Sequence, residues 1–138
     1  MPAGISNPVI GYLGFCAVKF AGYSLAARFL SRSYQRPDHN AFVVGGVRTL
    51  IGMAAGAVYY AIWRLIPHAE VAGGIGYLAG LLPVRIAEWW LLVWLFYDRP
   101  LQQRAKDWRT VLLATVWSYA LDVPAVIGFF VTGGVWVC

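Results

Sequence analysis

Charged residues are scarce in this chain, and the scarcity excludes most soluble folds. Aspartate, glutamate, lysine and arginine make up only 12% of the 138 residues, against about 25% in a typical soluble domain. Apolar residues make up 60%, and the mean hydropathy is +0.63. A chain of this length has room for one compact unit. We therefore predict an all-α integral membrane protein, a single domain over residues 1–138 with no soluble domain.

Cysteine and histidine are also rare, with two of each. Cys16 lies within an apolar run and Cys138 is far from it in sequence, so no disulfide framework is indicated. The motifs HExxH and GxSxG, which mark metal-dependent and serine hydrolases, are both missing. We therefore expect neither a metal nor a cofactor. These absences argue against an enzyme without excluding one.

Long apolar runs are what the sequence has in abundance. A helix needs about 20 apolar residues to cross ~30 Å of hydrocarbon. Four runs satisfy this requirement, at about 8–30, 41–66, 71–97 and 109–136. The connection at 67–70 is so short that the second and third spans must run in opposite directions. The pattern predicts four transmembrane helices in an antiparallel up-down bundle.

Basic residues are distributed unevenly between the two sides of this predicted bundle. One basic residue, Arg64, lies near one side. Seven lie in or beside the connections 31–40 and 98–108 on the other side: Arg28, Arg32, Arg36, Arg99, Arg104, Lys106 and Arg109. The positive-inside rule then places both connections in the cytoplasm and both termini outside, in the periplasm. His39 and His68 fall on opposite sides and cannot share one metal or haem.

The net charge of +5 therefore indicates a plasma (inner) membrane protein whose partners are membrane lipids. The basic connections are expected to meet anionic headgroups at the cytoplasmic face. Nucleic acid is not expected as a partner.

Ionisable residues inside the apolar runs are the main functional signal. An ion at the centre of a bilayer costs at least ~2.5–3.5 kcal/mol, so these groups must face one another, water or a ligand. A rise of ~1.5 Å per residue places all five in the inner and central part of the membrane. Helical spacing adds one tyrosine to the stripe of the first span and one to that of the fourth. The candidate site is Lys19, Arg48, Arg85, Glu88, Asp122, Tyr23 and Tyr119.

The five ionisable residues comprise three cations and two carboxylates. The simplest pairing joins Lys19 to Asp122, and either Arg85 or Arg48 to Glu88. Arg48, the shallowest, would then extend toward the cytoplasmic headgroups. Alternatively, the surplus positive charge attracts an anion. Glu88 and Asp122 are also the groups that could carry protons, with Lys19 and Tyr119 completing a relay.

Two prolines interrupt the third and fourth predicted spans, Pro83 and Pro124, and each lies two residues from a charge. A proline in a helix interior frees a backbone carbonyl and kinks the helix. Broken helices line binding sites in transporters, and a simple packing kink is the alternative.

Three classes of function remain open. The leading hypothesis is a polytopic protein that binds or helps to translocate a small anionic or protonatable ligand, possibly as a subunit of a larger complex. A lipid-modifying enzyme would use Glu88 or Asp122 as general base and arginine to hold phosphate. A purely structural or assembly subunit could dock partners through the aromatic side chains (seven Trp, eight Tyr and seven Phe). Four short helices enclose little space, so we expect a homo-oligomer or membrane complex.

Overall fold

The protein is all-helical over the residues that the computed structural model describes, which are 8–36, 39–66 and 73–132. The four helices are α1 (Pro8–Ser33), α2 (Ala41–Leu65), α3 (Gly73–Phe96) and α4 (Arg104–Thr132). Side chains are described over 13–36, 39–66 and 76–124. Over these residues the all-α prediction is confirmed.

The helix boundaries agree with the predicted spans except at two ends. Helix α1 continues three residues beyond the predicted end at 30, and α4 begins at Arg104 instead of 109. Hydropathy marks only the apolar part of a helix, whereas charged residues such as Arg and Lys form helix readily. The carboxylate of Asp98 accepts the N–H of Gln103 at 2.9 Å, which satisfies a donor next to the start of α4. Residues 71–72 and 133–136 of the predicted spans lie outside the described part.

Three helices are long and apolar enough to cross a membrane, over Leu13–Ser33, Ala41–Leu65 and Gly76–Phe96. They support a multi-pass membrane protein. Helix α4 does not meet this criterion of length and hydropathy over the part whose side chains are described. Its first six residues include four charged ones, Arg104, Lys106, Asp107 and Arg109, which lower its mean hydropathy.

The helices pack in a ring, α1 on α2, α2 on α3, α3 on α4 and α4 on α1. The closest approach is between α1 and α2, where a Cβ built on Gly45 would lie 2.7 Å from the backbone nitrogen of Ser24. Between α1 and α4, the indole N–H of Trp117 donates to the carbonyl of Gly22 at 3.0 Å. Small residues allow such close contact between helices in lipid. The ring encloses an interior to which all four helices contribute.

The short connection between α1 and α2 is fixed by backbone geometry at both ends. Gln35 has φ 53°, and the N–H of Arg36 returns to the carbonyl of Ser31 at 2.9 Å, as in a Schellman motif. The side chain of Asn40 accepts the N–H of Phe42 at 2.9 Å and caps α2. These caps hold the two helices side by side.

Apolar and polar side chains are distributed as expected for a protein surrounded by lipid. Large apolar side chains point outward from every helix, for example Leu13 at 61% exposed, Leu50 at 66% and Leu113 at 70%. The buried apolar cluster lies toward the end that carries the 34–40 and 97–103 connections; it comprises Tyr23, Ala26, Ala27, Tyr34, Val44, Trp89, Leu92, Val93, Tyr97, Val111 and Ala114. The buried charges lie next to this cluster, on its other side.

We expect Gly45→Ala to destabilise the protein by about 1–3 kcal/mol, the usual cost of overpacking a tight contact. The added methyl would collide with the backbone of Ser24, which cannot move aside as a flexible side chain would. Gly46→Ala is the matched control, because its nearest neighbour would be Phe20 Cε2 at an ordinary 3.6 Å. Unfolding in detergent, followed by tryptophan fluorescence, measures both; equal stability of the two variants would contradict the prediction.

Candidate functional site

Five ionisable side chains from all four helices meet in the interior. Their exposed fractions are 3% for Lys19, 0% for Arg48, 2% for Arg85, 7% for Glu88 and 2% for Asp122. We refer to these five residues as the charged cluster. Each is well inside its helix, so the surrounding helices replace water on every side. Charges buried this deeply require partners.

Asp122 of α4 binds two cations. One of its carboxylate oxygens forms an ion pair with Lys19 Nζ of α1. The other lies 2.5 Å from Arg85 Nη2 of α3. A single carboxylate therefore connects three helices, and the expected pairing of Lys19 with Asp122 is present.

Arg48 of α2 pairs with Glu88 of α3, with 2.6 Å between Nη2 and Oε2. Sequence alone left Glu88 open to either arginine; the ion pair forms with Arg48, and Arg85 pairs with Asp122. The expectation that Arg48 extends to the headgroups is wrong, because its side chain is fully buried. Helical rise gives the depth of a residue but does not give the direction of its side chain.

Tyr23 of α1 lies among the three cations. Its hydroxyl oxygen accepts from Lys19 Nζ at 3.4 Å and from Arg85 Nη1 at 3.5 Å. The guanidinium of Arg48 stacks on its ring, with Cζ 4.7 Å from the centroid. One side chain thus offers a lone pair to two cations and a π-face to the third.

Trp89 is a member of the site that sequence reasoning missed. Its ring lies 5.0 Å from Arg48 Cζ, it packs edge-to-face on Tyr23 at 5.8 Å, and its N–H donates to Ser118 Oγ at 2.8 Å. The signal in the sequence was its position four residues after Arg85, which places both on one helix face. The abundance of other tryptophans near it concealed that spacing.

Tyr119 lies at the edge of the charged cluster and is half-buried. Arg85 Cζ is 5.3 Å from its ring centroid, and its hydroxyl donates to the carbonyl of Leu78 at 2.8 Å. The hydroxyl of Tyr59 donates to the neighbouring carbonyl of Tyr77 at 3.0 Å. These carbonyls lie one and two residues before that of Ala79, which Pro83 leaves without its helical donor. Tyrosines of α2 and α4 thus provide donors to α3.

The guanidinium of Arg48 is incompletely satisfied. Among the described residues, its Nε and Nη1 have no hydrogen-bond acceptor. Nη1 lies 3.0 Å from where a Cβ of Gly52 would stand. Gly52 in turn lines a small cavity of about 10 Å³ between α1 and α2, together with Phe15, Cys16, Lys19, Tyr23, Thr49 and Met53. Gly52 therefore lies between the unsatisfied donors of Arg48 and a small space that Lys19 also borders.

A second buried polar group lies at the other end of the apolar core, and its two carboxylates belong to the connection that the sequence analysis assigned to 98–108. Asp98 is 6% exposed and Asp107 is 0% exposed. Asp107 accepts the hydroxyl of Tyr34 at 2.7 Å, and that hydroxyl also lies 3.3 Å from Thr110 Oγ1. Burial raises the pKa of Asp107, and nearby Asp98 raises it further, while the Tyr34 hydrogen bond lowers it. These contacts join α1 to the start of α4.

No group of three or more His, Cys, Asp or Glu side chains that could hold a metal ion occurs among the described residues. The expectation of neither metal nor cofactor stays a prediction. Searches for relatives found no matching protein family, no matching curated protein and no matching solved structure.

We predict that Asp122→Asn destabilises the protein by about 3–5 kcal/mol, the usual result of removing one partner of a buried ion pair. The isosteric change leaves two buried cations, Lys19 and Arg85, without their carboxylate. Glu88→Gln is the matched variant, since it leaves only Arg48 without a charged partner. Denaturant titration in mixed micelles should therefore show the larger loss for Asp122→Asn; the reverse order would contradict the bridging role.

The stability of the contact between α1 and the start of α4 should fall as pH rises through the raised pKa of Asp107. The pKa of this carboxyl in the folded protein lies above its ordinary value of 3.8. Its contribution to stability is therefore complete at a pH below 3.8, and it is lost as the pH rises through the folded pKa. Asp107→Asn should flatten this dependence, because the amide stays neutral. Tyr34→Phe removes the hydrogen bond that lowers the pKa of Asp107. The loss of stability should then extend to higher pH. Unfolding midpoints measured across the acidic range test both; an unchanged profile in Asp107→Asn would refute the assignment.

Proposed function

We propose that the chain is an inner-membrane protein of four spans, arranged as an antiparallel up-down bundle. Its charged cluster would bind, or help to translocate, a small anion, alone or as a subunit of a membrane complex. The observation that carries the proposal is the buried guanidinium of Arg48, whose Nε and Nη1 lack acceptors among the described residues. Its neighbour Gly52 lines a small cavity, and Lys19 lines the same cavity.

The contacts between helices support four antiparallel spans. Along α1, Tyr23 meets Arg48 and Arg28 meets Phe42 of α2, so the partner number falls as the α1 number rises. Asp122 pairs with Lys19 of α1 and Arg85 of α3, which requires α4 to lie at the same depth as the apolar helices. With 29 residues, α4 is about 43 Å long at 1.5 Å per residue, enough to cross a bilayer. The orientation proposed, with connections 31–40 and 98–108 in the cytoplasm, rests on the positive-inside rule.

The charge balance supports an anionic ligand. Glu88 and Asp122 are the only acidic residues that the sequence places in the four predicted spans. Both form ion pairs with the three cations Lys19, Arg48 and Arg85. Three cations against two carboxylates leave the charged cluster with a formal surplus of one positive charge. An uncompensated charge in a low-dielectric interior costs several kcal/mol. A bound anion beside Arg48 would remove that cost and accept from its free N–H groups.

The cavity restricts the size of this ligand. A volume of about 10 Å³ corresponds to roughly one water-sized probe. Phosphate and most carboxylates are larger than this space, whereas a single-atom anion comes closest in size. We therefore propose a halide, with a fluoride or chloride ion as the first probes.

A structural subunit is the second candidate, and the closed ion pairs favour it. Both carboxylates are engaged by cations at 2.6 Å or less, and the cluster is almost inaccessible to solvent. A general base for lipid chemistry would need a carboxylate that faces substrate, so the same engagement argues against the enzyme alternative. Pairing of this kind can serve to align four helices in one register without any ligand.

Halide titration of the purified protein, followed by calorimetry, tests the proposal. The wild type should bind fluoride or chloride, and Gly52→Ala should weaken binding by about tenfold or more, equivalent to about 1.4 kcal/mol. The new methyl would lie 3.0 Å from Arg48 Nη1, on a residue that lines the cavity. Gly46→Ala, the same change on the same helix, should bind like the wild type.

Two outcomes would contradict the anion site. If the wild type binds no halide in detergent or in vesicles, the structural subunit becomes the better description. If Gly52→Ala binds as tightly as Gly46→Ala, the ligand does not occupy the cavity beside Arg48. Proteoliposomes loaded with the bound halide then distinguish a transport role from binding alone, because only a translocating protein releases it.

A further inference from the structure

A groove on the outer surface of α3 and α4 has the chemistry of a phospholipid site. It has a volume of about 560 Å³, and its walls include Trp90, Leu91, Trp94, Leu101, Arg104 and Trp108. We call it the tryptophan groove. We propose that it binds one anionic phospholipid from the inner leaflet, with the acyl chains along α3 and the phosphate at Arg104.

The shape of the tryptophan groove suits an acyl chain at one end. Its volume is within the ~300–1,000 Å³ range of sites for small molecules. Its lining on α3 runs from Ala87 to Trp94, so it extends about 10 Å along the helix. Trp90 and Trp108 meet edge-to-face at 5.2 Å and join the two helices. Trp94 and Trp108 are each 46% exposed.

The charge of the tryptophan groove suits a phosphate at the other end. Arg104 is the cationic residue of the lining, and it forms no ion pair among the described residues. It is exposed at the start of α4, where the helix dipole favours an anion. The nearby carboxylates Asp98 and Asp107 are buried, and neither lines the groove.

A phospholipid explains this combination better than a second copy of the chain. The groove is apolar over most of its length and cationic at one end, as an anionic amphiphile requires. Its cationic end lies in the connection that the positive-inside rule assigns to the cytoplasm, where anionic lipids are concentrated. Tryptophan is typical of the same interfacial depth. The inference does not depend on an anion in the charged cluster, since none of the tryptophan groove residues belongs to that cluster.

Quenching of tryptophan fluorescence by brominated lipids tests the inference. The full-length protein is reconstituted in phosphatidylcholine vesicles that contain a minor fraction of phosphatidylglycerol brominated on its acyl chains, or of phosphatidylcholine brominated in the same way. We expect brominated phosphatidylglycerol to associate about fivefold more tightly, the effect of one arginine close to an anionic headgroup. Arg104→Gln should abolish the preference. Arg32→Gln, an equal change of charge at an exposed site on α1, should retain it.

A second variant keeps the test independent of Arg104. Ala87→Phe leaves all charges in place and fills the apolar end of the tryptophan groove, where Ala87 is exposed. It should also remove the preference, and far-UV circular dichroism checks that both variants are folded. Glycerol phosphate, which has the headgroup charge without acyl chains, should not compete with the lipid.

Three results would overturn the inference. The first is equal quenching of the wild type by the two brominated lipids. The second is competition by glycerol phosphate, or an equal loss in Arg104→Gln and Arg32→Gln, either of which would indicate general attraction to anions. The third is a change from dimer to monomer in Ala87→Phe, measured by light scattering, which would mean that a second copy of the chain covers the groove.

Discussion

The ion pairs of Asp122 are the interaction on which the rest of this structure depends. One carboxylate holds Lys19 of α1 and Arg85 of α3, so three helices are fixed at one depth by a single side chain. Hydrocarbon offers no substitute for these partners, because each group would be an unsolvated ion if its neighbour moved away. The close contact of Gly45 with Ser24 and the ring of helices follow from the same requirement to exclude water and lipid.

The charged cluster is closed, but its formal charges are not balanced. Asp122 serves two cations, Glu88 serves one, and the Arg48 guanidinium is held by the rings of Tyr23 and Trp89 as well. Aromatic faces stabilise a cation without neutralising it. The charged cluster therefore keeps a formal surplus of one positive charge in a buried setting.

Much of this arrangement could be predicted from residue spacing. Hydropathy indicated four helices, and helical spacing placed Lys19 with Tyr23 and Asp122 with Tyr119. The pairing of Glu88 could not be predicted, since Arg85 is near it in sequence while Arg48 is on another helix. The burial of Asp98 and Asp107 was equally hidden, because a short polar connection resembles any exposed loop. Both depend on the rotation of each helix about its axis, which packing decides.

The sequence by itself determined that this chain is helical, that its helices are apolar enough to indicate a membrane protein and that ionisable side chains lie within them. Those properties follow from the composition of the chain and from the helical period of 3.6 residues. Both can be read from residues that are close together in the sequence. The tertiary structure alone decided which cation meets which carboxylate, that Trp89 stacks on Arg48 and that a cavity remains beside Gly52. Such contacts join residues distant in sequence, and their energies depend on ångström-scale distances between helices that no local pattern specifies.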